Sequence, residues 1–131
     1  MKKIESVVAL IAVLPVGALA AKPVSPLIAQ AKRTISAEMI DPASVQYRNI
    51  RLVRQTVAGQ PVTIVCGEVN SKNRMGGYVG FAKFAYEPTI LHGAVSMSGE
   101  GKVEFYGGSN GKGDEAEVRH KGEIMVPCMN G

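Results

Sequence analysis

The chain of 131 residues carries a formal net charge of +4, two cysteines and no tryptophan. Its length suits one domain, and a composition 46% hydrophobic and 20% charged excludes a disordered chain. Two cysteines exclude a disulfide-dense miniprotein and a four-thiolate zinc site.

Met1-Lys2-Lys3 is a short basic start. An apolar run follows over residues 7–21, broken by Pro15, and Ala18-Leu19-Ala20 supplies the small residues of a signal-peptidase site. These three parts predict a cleaved secretory signal over residues 1–20 and a single domain over residues 21–131. The run falls short of the about 20 apolar residues a membrane span needs. No cysteine sits at the cut to carry a lipid, and no later segment is long and apolar enough to span a bilayer. The expected location is periplasmic or secreted, and the expected state is a monomer.

Removing residues 1–20 leaves 111 residues, and the loss of Lys2, Lys3 and Glu5 lowers the net charge to +3. Residues 22–74 hold eight basic and three acidic side chains, and residues 75–131 hold five and seven. The basic residues are scattered rather than clustered, which argues against nucleic acid as a partner and for a solvated basic face. Export puts Cys66 and Cys128 in an oxidising compartment, where they form the one available disulfide.

Ser25-Pro26 opens a helix, with a hydroxyl at the N-cap and proline at the first helical position. Leu27, Ala31, Ile35 and Met39, with Ile28 and Ile40 beside them, make the apolar stripe of an amphipathic helix. Asp41-Pro42 ends it, because a residue before proline avoids the helical region; Asp41 is placed to cap a short turn through Ser44. From residue 45 to 54 apolar and basic residues alternate, with a phase slip at Asn49 that predicts a bulge. Ala58-Gly59-Gln60-Pro61 is a turn. Residues 62–69 are β-branched and apolar on both faces, as in a central strand.

A polar, Gly-rich loop over residues 70–77 leads to a strand over 78–86, in which Tyr78, Phe84 and Tyr86 share one parity. Short strands are expected within 90–97 and over 102–106. Residues 115–120 and 123–126 are expected to pair around Lys121-Gly122. The stretch 107–113 holds four glycines and is expected to be mobile. The fold class is α+β: an N-terminal amphipathic helix followed by an antiparallel sheet, with one disulfide.

Catalysis has no foothold in these residues. A G-x-S-x-G elbow is missing, and His92 and His120 are isolated, without metal-ligand spacing. The run from Gly107 to Gly113 has a phosphate-loop look but is one residue short and lacks a hydroxyl after Lys112. Asp114, Glu115 and Glu117 lack EF-hand spacing. The expectation is a non-enzyme without metal or cofactor.

The informative block runs Cys66-Gly67-Glu68-Val69-Asn70-Ser71-Lys72-Asn73-Arg74-Met75-Gly76-Gly77-Tyr78-Val79-Gly80-Phe81-Ala82-Lys83-Phe84. Asn70 and Asn73 can bond their own backbone, Gly76 and Gly77 can take positive φ, and Lys72 and Arg74 point two cations from the tip. One reading is a well-specified hairpin pinned at Cys66. The other is a loop whose Asn70, Lys72, Asn73, Arg74, Gly76, Gly77 and Tyr78 meet a protein or other envelope partner.

Together with Asp41-Pro42-Ala43-Ser44-Val45-Gln46-Tyr47-Arg48-Asn49, this block resembles a family of small exported bacterial proteins of unknown function. That family pairs D-P-x-S-x-x-[FY]-R-N with C-G-x-V-N-x-K-N-x-x-G-x-Y-x-G-F. The resemblance implies a secreted or periplasmic domain with a disulfide and implies no activity. Ser98-Gly99, the segment from Lys112 to Val118 and Cys128 are similar in order to the C-terminal half of periplasmic C-type lysozyme inhibitors. Those are small β-barrels in which an S-G loop enters the lysozyme cleft. This second resemblance implies an inhibitory loop at Ser98, Gly99 and Lys112, although no Tyr follows Ser98-Gly99 at that family's spacing.

Overall fold

The computed structural model describes residues 25–99, 101, 103–107 and 115–130. The expected signal peptide, Lys112 and most of the 107–113 glycine stretch lie outside these residues.

Helix α1 spans Pro26–Ala37, with Ser25 at the N-cap and Pro26 at the first position. The Ser25 side chain makes no capping bond; its carbonyl accepts the Ala29 amide at 3.1 Å. The helix ends before Met39 and Ile40, which the sequence placed on its stripe. Tight bonds from Glu38 N to Ile35 O and from Met39 N to Ser36 O close the last turn, and Ile40 is left exposed. A 3-10 turn follows at Pro42–Ser44, held by the Ser44 hydroxyl donating to the Asp41 carbonyl rather than by an Asp41 cap.

Five strands then form one antiparallel meander in chain order: β1 Gln46–Val57, β2 Gln60–Asn70, β3 Ala82–Glu87, β4 Gly93–Met97 and β5 Val103–Gly107. The bulge falls where the alternation slips. Asn49 has φ 54°, and the β1–β2 register shifts between Arg48 and Arg51. That shift lets Tyr47 and Ile50, three residues apart, pack on the same face. Ala58 and Gly59, both with positive φ, make the two-residue turn from β1 to β2, whose twist matches that of the strands.

The expected strand over 78–86 is shorter. β3 starts at Ala82, because Gly80 at φ 101° breaks the extended chain; Tyr78 forms only an isolated bridge with Lys72.

The apolar character of β2 on both faces has a direct cause: each face is covered by a helix. On one face, Ala31 and Ile35 of α1 pack with Val65, Val69, Phe84, Tyr86, Ala94 and Tyr106. On the other, Ile64, Cys66, Ala85 and Val95 pack with Ile124, Met125 and Cys128. These last three belong to α2, Glu115–Met129, which replaces the two strands expected around Lys121-Gly122. Ile124 and Cys128 lie one turn apart and face the sheet, with Met125 beside them, and Gly122 is exposed. Pro127 sits in the last turn of this helix.

Two cations and a disulfide fix the end of α2. The Cys66–Cys128 bond joins it to β2 across 62 residues of chain, with the Cα atoms 5.1 Å apart. Arg51 Nη2 reaches the Pro127 and Cys128 carbonyls at 3.5 and 3.4 Å, and Lys83 Nζ donates to the Met129 carbonyl at 2.8 Å. Positive charge on the unpaired carbonyls of a helix C-terminus is favourable.

Candidate functional site

The two segments of the first family pattern lie against each other. The Tyr78 hydroxyl donates to the Ser44 carbonyl at 2.9 Å, so the 3-10 turn buttresses the 71–81 loop. Arg48 makes paired bonds to Glu68 at 3.1 and 3.2 Å and stacks on the Phe81 ring, 3.7 Å from its centroid. Asn49 Nδ2 donates to the same carboxylate at 2.6 Å. The Arg48 and Asn49 bonds hold the Glu68 carboxyl below its ordinary range. Tyr47 meets Phe84 edge-on at 6.0 Å, and its hydroxyl bonds Ser36 and the Lys32 carbonyl, which ties α1 to the sheet. Burial pushes the Tyr47 phenol up, against the lowering effect of Ser36.

Within the loop, most of the candidate residues are engaged in its own construction. Asn70 Oδ1 accepts the Gly80 amide at 3.0 Å. Asn73 Oδ1 accepts the Met75 and Gly77 amides at 3.0 and 3.1 Å, and its own amide donates to the Gly77 carbonyl at 2.8 Å. Of the two glycines expected at positive φ, Gly76 adopts it, at 81°, and Gly77 does not. Lys72 Nζ lies 5.4 Å from the Tyr78 centroid. Arg74 and Met75 are left at the exposed tip.

The base of this loop forms one wall of a cleft of about 510 Å³ on the α1 side of the sheet. Ser71, Val79, Gly80 and Phe81 come from the loop, Met39 from the end of α1, and Ser98 and Gly99 from the β4–β5 turn. Val69, Ala82 and Ser96 belong to the strands, and Glu104 and Tyr106 to β5. The structure therefore brings Ser98 and Gly99 to the same cleft as the loop.

Side chains that the sequence did not single out carry the cleft's polarity. The Tyr106 hydroxyl bonds Ser96 at 2.9 Å and donates to Glu104 Oε2 at 3.0 Å. Burial pushes the Tyr106 phenol up to about 12; Ser96 opposes the rise and Glu104 adds to it. Tyr106 is thus a fixed neutral donor at neutral pH, and Glu104 is oriented by it. The signal for this trio lies in the register, which sets Ser96 opposite Glu104 on neighbouring strands.

A smaller hollow of about 490 Å³ lies on the opposite face, at the end of α2, between Asn49, Arg51, Glu68, Lys83 and Cys128. Its cations are the ones that cap α2. Among the described residues, no three His, Cys, Asp or Glu side chains converge, and no helix is long and apolar enough to cross a membrane.

The fold and site define a class by geometry: a disulfide-tied antiparallel meander with a helix on each face and a cleft beside its longest loop. No family model, curated protein or solved structure matches the chain.

Proposed function

We propose that this is an exported, non-enzymatic binding protein of the bacterial envelope that acts as a monomer and receives its partner in the cleft beside the 71–81 loop. The observation that carries the reading is the convergence of two separate segments, the loop base and Ser98-Gly99, on one cavity of about 510 Å³. Hydroxyls of Ser71, Ser96, Ser98 and Tyr106 alternate there with apolar Met39, Val79 and Phe81, the mixed lining of a recognition site. The loop is rigid through its own hydrogen bonds, so little order has to be created on binding.

The test is site-directed photo-crosslinking in envelope extract. A Cβ at Gly99 meets nothing within 4 Å, and the same holds at Gly122 on α2. A crosslinker at Gly99 should capture one partner that a crosslinker at Gly122 misses. Capture that is equal at both positions, or absent at Gly99, overturns the reading.

A second reading is inhibition of lysozyme or another cell-wall hydrolase, favoured by Ser98 and Gly99 lying on the cleft rim. The described sheet is open, with β1 and β5 at its edges, and is not a barrel. Lysozyme activity unchanged by micromolar excess of the protein would remove this reading.

A further inference from the structure

We infer that the tip of the 71–81 loop docks on an anionic lipid surface. This rests on the envelope-binding reading above and assigns the loop tip a partner separate from that of the cleft.

Met75 is 94% exposed at the tip, and Val79, which also lines the cleft, is 65% exposed, in a loop that is otherwise tightly organised. An apolar side chain held almost wholly in water by a rigid loop gains nothing within the fold. Arg74 adjoins Met75 at the tip, and Lys72 is held against the half-exposed Tyr78 ring. Cations beside apolar side chains and an amphipathic ring match a surface that is anionic outside and apolar within.

The backbone is prepared for this environment. The Asn73, Gly76, Val79 and Gly80 amides all have partners inside the loop or at its base, and Asn73 Oδ1 takes those of Met75 and Gly77. With these six amides already satisfied, the desolvation cost of leaving water is reduced. The Tyr78 bond to Ser44 fixes the tip relative to the body of the domain.

The chain has no tryptophan, so Met75→Trp provides a single fluorescent probe at the tip. Protein recovered from the periplasm of expressing cells is mixed with vesicles of equimolar phosphatidylcholine and phosphatidylglycerol, or of phosphatidylcholine alone. The Trp emission should shift to the blue with the anionic vesicles only, and high salt should reverse the shift. In sedimentation, Met75→Ser and the double change Lys72→Gln/Arg74→Gln should each lower the bound fraction about tenfold, with unchanged melting temperature. Emission that stays constant, or binding that is indifferent to Met75, overturns the inference. Crosslinking at Gly99 succeeds or fails independently, so the two readings fall separately.

Discussion

Replacing Glu87 with glutamine should destabilise the protein by about 3 kcal/mol, although the change is nearly isosteric. Glu87 is 1% exposed at the end of β3, and its carboxylate organises the turn to β4. Oε2 accepts the Ile90 and Leu91 amides at 2.6 and 2.9 Å, and Oε1 accepts the Thr89 amide at 2.8 Å and the Thr89 hydroxyl. A glutamine would keep its carbonyl on the Ile90 and Leu91 amides. Its NH2 would then face the Thr89 amide, while the Thr89 hydroxyl could turn and accept. One orphaned amide costs about 1–3 kcal/mol, and two charge-assisted bonds reduced to neutral ones lose about 0.5–1 kcal/mol each. Urea unfolding at neutral pH, followed by circular dichroism, measures the loss; a difference below about 1 kcal/mol refutes the clamp.

The same residue gives a pH signature. Burial pushes the Glu87 carboxyl up, but the Thr89 hydroxyl and the Leu91, Thr89 and Ile90 amides outweigh it and hold the carboxyl below its ordinary range. The folded protein therefore binds this proton less readily than the unfolded chain. The contribution is complete above the unfolded carboxyl's value of about 4.3 and is lost as pH falls through the lower folded value. The gap between wild type and Glu87→Gln should be constant near neutrality and shrink in acid. A gap that does not narrow there refutes the assignment.

Three further changes test the packing. In Gly67→Ala, the new Cβ would sit 3.0 Å from two ring atoms of fully buried Phe84 and 3.1 Å from Ile50 Cγ1, so a loss of about 1–3 kcal/mol in urea unfolding is expected. Gly122→Ala puts a methyl into open space on α2 and should add about 0.5–1 kcal/mol, read as a higher melting temperature. Breaking the disulfide in a Cys66→Ala/Cys128→Ala variant releases a constraint over 62 residues and should cost about 4 kcal/mol in the chain-entropy model, with loss of helical circular dichroism as α2 detaches.

The elements legible in the sequence are those whose determinants are local. Ser25-Pro26 and the stripe through Ala31 and Ile35 specify α1 from neighbouring residues alone, and Asn49 marks the bulge through a break in alternation. The C-terminal helix is illegible in the sequence for the opposite reason. Gly122 and Pro127 read as breaks, and Lys121-Gly122 has the composition of a tight turn. What holds Glu115–Met129 as a helix against the sheet comes from distant chain: the apolar face of β2, β3 and β4, the bond to Cys66, and the cations of Arg51 and Lys83. The site divides in the same way. Asn70, Asn73 and Gly76 announce a structured loop. Ser96, Glu104 and Tyr106 become a unit only once β4 and β5 are in register, which no local pattern encodes.

Helix α2 follows all five strands in sequence, and that order separates the two faces of the sheet. A chain that emerges N-terminus first can complete α1 and its face of the sheet while the opposite face, with Ile64, Ala85 and Val95, is still open. During that interval Cys66 is an unpaired thiol and the Arg51 and Lys83 side chains have no helix end to hold. The arrival of α2 closes all three. A chain truncated before Glu115 would be left with one face of the sheet covered and the other bare, rather than with a uniformly weakened fold.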